Sequence, residues 1–279
     1  MKRKNTFFAV VMNSKMMTAA RTLLTAILLM TGVTSAWAYE WTGNTVSAGD
    51  FYLYNVAEGK FLTWGANYQT RAVLVENAGE IVTLAVSGTD YTITFKNIIE
   101  KTNKHLYLSG DTPYCDGTAT WTFTETSAGS KIYYISSGGK YLSAQDYTGK
   151  LTYPLVTVTG YAAAGAMAQW KLVSRDDRIA ALAKARPDNP IDATFYIAGA
   201  EITRYFDNAG VWNGDDPAFG GRDGNLEATG YAAENYWGES VKSYQTLSGL
   251  PAGKYSVSCF GFYRDGGVND AYAAHEGGT

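Results

Sequence analysis

Histidine, cysteine and proline are scarce in this chain: two, two and six residues among 279. With only His105 and His275, a Ser-His-Asp or Cys-His arrangement would have to use one of them, and neither stands beside a nucleophile motif. His105 takes an aromatic position in a strand and reads as packing. No zinc spacing and no phosphate-binding loop is present. Two cysteines, Cys115 and Cys259, placed far apart, make no disulfide framework, and each reads as a small buried hydrophobe. After position 38 no apolar run approaches the roughly 20 residues that a membrane helix needs, so the mature chain is expected to carry no membrane span. Basic charge is also short. Removing the five basic residues of the first 38 from the 23 Lys+Arg leaves 18 against 26 acids, and a net charge of about −8 argues against a nucleic-acid partner.

What the N-terminus does have is the pattern of an export signal. Lys2, Arg3, Lys4, Lys15 and Arg21 precede an apolar run from Leu23 to Val33, and Ala36-Trp37-Ala38 is a small-x-small cleavage site. The run is too short to span a bilayer, so residues 1–38 read as a cleavable signal peptide and an exported location is expected, in the periplasm, at the cell surface or outside the cell. Met16 or Met17 would open a signal of more ordinary length.

The mature chain is rich in aromatics (14%) and glycine (30 residues), a balance that suits an all-β protein with many tight turns. Between Trp41 and Ser174 apolar and polar residues alternate, as in Phe51-Tyr52-Leu53-Tyr54, Tyr91-Thr92-Ile93-Thr94-Phe95 and Lys131-Ile132-Tyr133-Tyr134-Ile135, which predicts half-buried strands. Each is followed by a turn and a second strand: Gly59-Lys60-Phe61-Leu62, Asn103-Lys104-His105-Leu106 and Gly139-Lys140-Tyr141-Leu142. The lysines stand 44 and 36 residues apart. Three units of about 40 residues fit a trefoil, whereas a propeller needs at least four blades. Trp121 and Trp170 mark equivalent closing strands, for which the first unit offers only Ile81-Val82-Thr83-Leu84.

With its Gly-Lys-aromatic-Leu strands, residues 39–174 resemble the ricin-type β-trefoil lectins. Those lectins carry a Gln-x-Trp core motif; Gln169 and Trp170 are adjacent here, so the motif is broken and the family's sugar-contacting set does not transfer position by position. The resemblance implies the fold and an expectation of glycan binding.

Next, Ser174-Arg175-Asp176-Asp177 caps a helix running to Ala185, with Asp177 as a short capping-box partner, and Arg186-Pro187-Asp188-Asn189-Pro190 stops it. Residues 175–190 therefore read as a helical linker. In residues 191–279, Ser243–Val257 reads as strand, Pro/Gly turn, strand. Leu250-Pro251-Ala252-Gly253-Lys254-Tyr255 with Gly261-Phe262-Tyr263-Arg264, and Phe206-Asp207-Asn208 with Trp212, look like galactose-binding-like jelly-roll modules of secreted Bacteroidetes glycan-handling proteins. The expected fold is thus all-β: an N-terminal trefoil and the front of a C-terminal β-sandwich. The run Glu276-Gly277-Gly278-Thr279 is loop-like, so further strands are expected beyond Thr279.

A sugar site wants a flat aromatic for the C–H face of the ring and amides or carboxylates for its hydroxyls. Trp64, Asn67 and Tyr68 supply these in the turn after the Lys60 strand, and Asp111-Thr112-Pro113-Tyr114 and Gln145-Asp146-Tyr147 repeat the mix. In the second module Trp212 and the pair Tyr236 and Trp237 are candidates. The bland reading is burial or barrel-rim packing. Asp215, Asp216, Asp223 and Asn225 are candidate calcium ligands, although their spacing departs from the helix-loop-helix pattern and a solvated acidic loop is the default; no other cofactor is implied. The reading is a secreted or surface carbohydrate-binding protein with glycan or polysaccharide as partner and no catalytic constellation. Its rivals are the accessory region of a larger exported glycoside hydrolase or peptidase, decided by a catalytic region beyond Thr279, and a structural or adhesive surface protein, which predicts buried tryptophans and no aromatic platform.

Overall fold

The computed structural model describes residues 39–66, 70–75, 78–96, 98, 101–145, 156–159, 165–198, 213–214, 218–219, 233–234 and 243–258. Residues 38–251 form one compact unit. Its first part holds twelve strands: β1 (Gly49–Asn55), β2 (Lys60–Ala66), β3 (Arg71–Val75), β4 (Val82–Ser87), β5 (Asp90–Phe95), β6 (His105–Ser109), β7 (Thr112–Gly117), β8 (Thr122–Glu125), β9 (Tyr133–Ser137), β10 (Lys140–Ala144), β11 (Val156–Thr159) and β12 (Gln169–Val173).

Six of these close a circle, every pair antiparallel. β1 pairs β4 (Phe51 opposite Val82), β4 pairs β5 (Leu84 opposite Ile93), β8 pairs β9 (Phe123 opposite Ile135), β9 pairs β12 (Tyr133 opposite Trp170) and β12 returns to β1 (Leu172 opposite Leu53). β5 meets β8 through Tyr91 and Trp121, whose backbones exchange bonds of 2.9 and 2.8 Å. The other six form three hairpins, β2–β3, β6–β7 and β10–β11, one inserted in each unit of four strands. A six-stranded barrel with one hairpin per unit, repeated three times, is the β-trefoil arrangement. Closure leaves the barrel without edges.

The period-2 pattern explains the core. Leu53, Ile93 and Ile135 are equivalent inward residues of the barrel, Leu62, Leu106 and Leu142 equivalent inward residues of the hairpins, and all six are fully buried. Units two and three lock this layer with an indole: Trp121 Nε1 donates to the Leu106 carbonyl and Trp170 Nε1 to the Leu142 carbonyl, each at 2.9 Å. Unit one has Val82 at that position, and the Glu80 backbone N–H takes over, donating to the Leu62 carbonyl at 2.9 Å. A buried carbonyl left without a donor costs about 1–3 kcal/mol, so this substitution keeps the repeat closed where the tryptophan is missing. A second contact recurs inside units one and two: the hydroxyls of Thr83 and Thr122 donate to Asp50 and Asp90 at 2.7 and 2.6 Å. Ile132 and Lys171 occupy those positions in unit three.

Helix α1 (Arg175–Leu182) starts at a complete capping box. The Asp177 N–H donates to the Ser174 hydroxyl at 3.0 Å, and the Ser174 N–H donates to the Asp177 carboxylate at 2.9 Å. The helix ends at Leu182, three residues before the expected Ala185, and it lies against the barrel. Arg178, Ala181 and Leu182 are its buried residues, and they join an outer cluster of Trp41, Tyr52, Tyr54, Phe61, Phe195 and Tyr196. The Arg178 guanidinium sits 4.6 Å from the Tyr52 ring centre, 4.2 Å from Phe61 and 4.3 Å from Phe195. It also donates to the Ala78 carbonyl and lies 3.7 Å from the Asp192 carboxylate. The segment is a packed strap: the outward aromatics of β1 and β2 require a cover, and α1 with residues 195–196 supplies it.

Farther on, the described strands are two-residue ladders, Asn213–Gly214 with Ser243–Tyr244 and Ala218–Phe219 with Ala233–Glu234. Of the strand–turn–strand expected over Ser243–Val257, only Ser243–Tyr244 is strand. Among the described residues no helix is long and apolar enough to cross a membrane.

Candidate functional site

Trp64 does not sit in a turn. β2 runs on to Ala66, and Trp64 follows Leu62 by two residues, so it faces inward with it. It is 2% exposed within the central core and stands opposite Ala72, itself fully buried. A large ring paired with a methyl group fills that layer, and a ring so enclosed has no open face for stacking. Asn67, Tyr68, Trp212, Tyr236 and Trp237 lie outside the described residues, as do the candidate calcium ligands Asp215, Asp216, Asp223 and Asn225. Trp41, Trp121 and Trp170 are buried like Trp64.

An aromatic shelf does exist in unit two, on a residue whose sequence motif did not single it out. Tyr107 lies between the inward Leu106 and Leu108 of β6, so it points outward and is half-buried. Its ring lies flat against Gly117: a Cβ built at 117 would come within 2.2 Å of Tyr107 Cδ1 and 2.3 Å of Cγ. Only glycine allows that approach. Tyr114 flanks the ring at 6.1 Å between centres. Burial first, and then the charge of nearby Asp116 together with Tyr114 and Cys115, pushes the Tyr107 phenol above its ordinary value. It therefore stays neutral, able both to donate and to accept.

Beside the ring is a shallow pocket of about 280 Å³ lined by Tyr107, Leu108, Thr118, Ala119, Ser137, Gly138 and Lys140. Leu108 and Ala119 give it an apolar side, and Thr118, Ser137 and Lys140 supply hydroxyls and an ammonium. The Ser137-Gly138-Gly139-Lys140 turn is a two-residue hairpin loop with φ of +57° and +76° at its glycines, the conformation such turns demand. From the rim, Asp111 at the tip of the β6–β7 hairpin forms an ion pair with Lys140. That pair ties unit two to unit three across the mouth. The run Asp111-Thr112-Pro113-Tyr114, read from the sequence as a turn that repeats the polar-aromatic mix, is the hairpin tip and the start of β7; Asp111 pairs with Lys140 and Tyr114 flanks Tyr107.

Cys115, on the opposite face of β7, is wholly buried and free, and burial pushes its thiol well up. It is a core residue.

No family model matches the sequence, and no curated protein matches it. Among solved structures, the chain is similar to a Macrolepiota procera ricin B-like lectin in complex with lactose, at 12% identity over 47% of this chain and 98% of that one, with a TM-score of 0.39. It is also similar to a Culex quiquefasciatus salivary protein of the Cysteine and Tryptophan-Rich family (18% identity, 48% and 99% coverage, TM-score 0.37) and to a proteinase inhibitor from Coprinopsis cinerea (10%, 47% and 99%, 0.36). The trefoil assignment rests on the strand pairing itself.

Proposed function

We propose that this is an exported, non-catalytic carbohydrate-binding protein whose barrel holds a sugar in the Tyr107 cleft. The observation that carries the reading is the Tyr107 ring laid on Gly117 at the edge of a small polar-walled pocket. A pyranose presents axial C–H groups on one face and hydroxyls around its rim. The ring takes the first, and Thr118, Ser137 and the Lys140–Asp111 pair take the second. A volume of about 280 Å³ lies just below the usual range for small-molecule sites, which suits one sugar residue of a longer glycan. Residues 191–279 are read as part of a jelly-roll binding module, on their sequence resemblance; linked sites raise avidity along a polysaccharide. Export is read from the leader, residues 1–38.

A structural or adhesive role is the second reading, favoured by the burial of all four described tryptophans. A glycan array and an insoluble-polysaccharide pull-down, with mature protein beside its Tyr107→Ala variant, separate the two. Retention that falls with Tyr107→Ala supports sugar binding at this cleft. A folded protein retained by nothing supports the structural role.

A further inference from the structure

The pocket beside Tyr107 has a cation in its wall and an anion at its mouth, and the two together bear on which sugars fit. Among the described residues that line it, Lys140 is the charged one. Its own hairpin loop, Gly138-Gly139, carries no acid, whereas Lys60, which opens the equivalent strand of unit one, lies 3.8 Å from Glu58 of its own turn. The counter-charge of Lys140 comes instead from across the cleft, from Asp111. Asp111 is the second residue of the two-residue loop Gly110-Asp111, with φ of +65° at the glycine. Glycine-first loops of this length are tight hairpin turns, so both charges stand on short connections. Their side chains are 43% and 71% exposed, within reach of a ligand at the pocket mouth. Asp116, whose charge is felt at the Tyr107 phenol, lies 3.6 Å from Lys101. Each of these ammonium groups thus faces a carboxylate.

That balance is selective. A bare ammonium beside a flat ring favours an acidic sugar, whose carboxylate it would pair. With Asp111 beside Lys140, an incoming carboxylate sets its attraction to one charge against repulsion from the other, and the mature chain's net charge of about −8 opposes anions further. A hydroxyl meets no such conflict: it accepts from the ammonium and donates to the carboxylate at once. We infer that the Tyr107 cleft takes neutral pyranose units in preference to uronic acids, and that Asp111 is the residue that sets this choice. The inference rests on the glycan reading of the cleft and adds to it the class of sugar. Lys140 attracts oxygen of any kind; Asp111 turns that attraction toward hydroxyls.

The test is an amide-resolved NMR titration of the mature protein at neutral pH with matched probes, the methyl glycosides of glucose, galactose and mannose and those of the corresponding uronic acids. Within each pair the ring is the same and only the carboxylate differs. Expected are saturable shifts at Tyr107, Thr118 and Ser137 with at least one neutral glycoside, and weaker binding of its uronide. Asp111→Asn removes the charge and places a residue that suits tight turns. It is expected to raise affinity for the uronide, relative to the neutral partner, by about threefold, the size of one exposed ion pair. That gain should fade between about 0.01 and 1 M salt as the charges are screened. It should be absent when Asp111→Asn is combined with Lys140→Gln, which leaves no ammonium to pair; the amide spectrum of each variant reports that it is folded. A wild-type protein that binds a uronide as tightly as its neutral partner or more tightly, or an unchanged preference in Asp111→Asn, overturns the selection and leaves the glycan reading standing. No shift at these amides with any glycoside, neutral or acidic, in either protein overturns both.

Discussion

On unit one, the outward aromatics Tyr52, Tyr54 and Phe61 are sealed under α1, with Arg178 stacked on two of them and Trp41, Phe195 and Tyr196 completing the cluster. On unit two, the outward ring of Tyr107 is half-buried; it rests on Gly117 and borders a pocket. The same barrel face is covered in one place and left accessible in the other. Burial of aromatics converts area into stability at about 25 cal/mol per Å², whereas a ring kept at the surface gives up that gain and remains available to a ligand. If this contrast is right, substitutions on the covered side and in the core should act on stability, and substitutions on the shelf should act on binding.

The core sets the upper end of the scale. Trp64→Ala removes an indole that is 2% exposed and opposite Ala72, and the loss expected for such a truncation is about 3–5 kcal/mol. Urea unfolding reads it as a lower midpoint. A loss below about 1 kcal/mol would mean that the ring is at the surface after all, as the sequence pattern first suggested.

Arg178→Ala comes next. It removes cation–π contacts worth about 2 kcal/mol when desolvated and strips the Ala78 carbonyl of its donor, for a combined cost of about 3 kcal/mol. Asp192, 39% exposed on its side chain, is left near water and adds little. The result that would break the comparison is a variant as stable as wild type, because α1 would then be a linker and the aromatic face would not depend on its cover.

These two cases show where the sequence was legible. The lysine spacing and the paired tryptophans Trp121 and Trp170 exposed the threefold repeat, because closing strands and tight hairpins draw on the same residue types each time. Ser174 and Asp177 marked the start of α1 through a contact four residues wide. Trp64 was misplaced because its strand continues past the Leu62 motif, and a Trp-Gly-Ala-Asn run looks like a turn until the pairing with Ala72 is known. Nothing local in α1 tells a strap from a linker: its burial depends on Tyr52 and Phe61, more than 110 residues earlier. The Tyr107 seat was half legible. Aligning the units sets Tyr107 against Thr63 and Ser143, but that its ring lies on Gly117 is known only from the fold.

The capping box is worth less and depends on pH. Ser174→Ala leaves the Asp177 N–H without its acceptor and is expected to cost about 1 kcal/mol. Burial raises the Asp177 pKa, but hydrogen bonds from the Ser174 hydroxyl, the Asn44 amide and the Ser174 N–H, with the charge of Lys131, outweigh it and hold the carboxyl below its ordinary value. At Asp50 burial is likewise outweighed, by Lys96 and Thr83. A carboxylate lowered in the folded state stabilises above its unfolded value, near pH 4, and that contribution is lost as pH falls through the folded value. The urea midpoint should therefore drop from pH 5 toward pH 2, and drop less in Asp177→Asn. An equal fall in that variant would remove the capping box from the account.

Tyr107→Ala should have a small effect on stability and the largest on binding. The ring is half-buried and lies against Gly117, so its loss is expected to stay within about 1 kcal/mol, as for a surface substitution that creates no sealed cavity. Lys140→Gln should be still closer to neutral, because an exposed ion pair such as Lys140–Asp111 contributes little. Yet each removes part of what a pyranose would touch. Plotting the fall in glycan retention against the fall in urea midpoint should then place Tyr107→Ala and Lys140→Gln on the binding axis and Arg178→Ala on the stability axis. If Tyr107→Ala instead lands beside Arg178→Ala, with stability lost and no change in what the protein retains, unit two is covered barrel like unit one, and the shelf is packing.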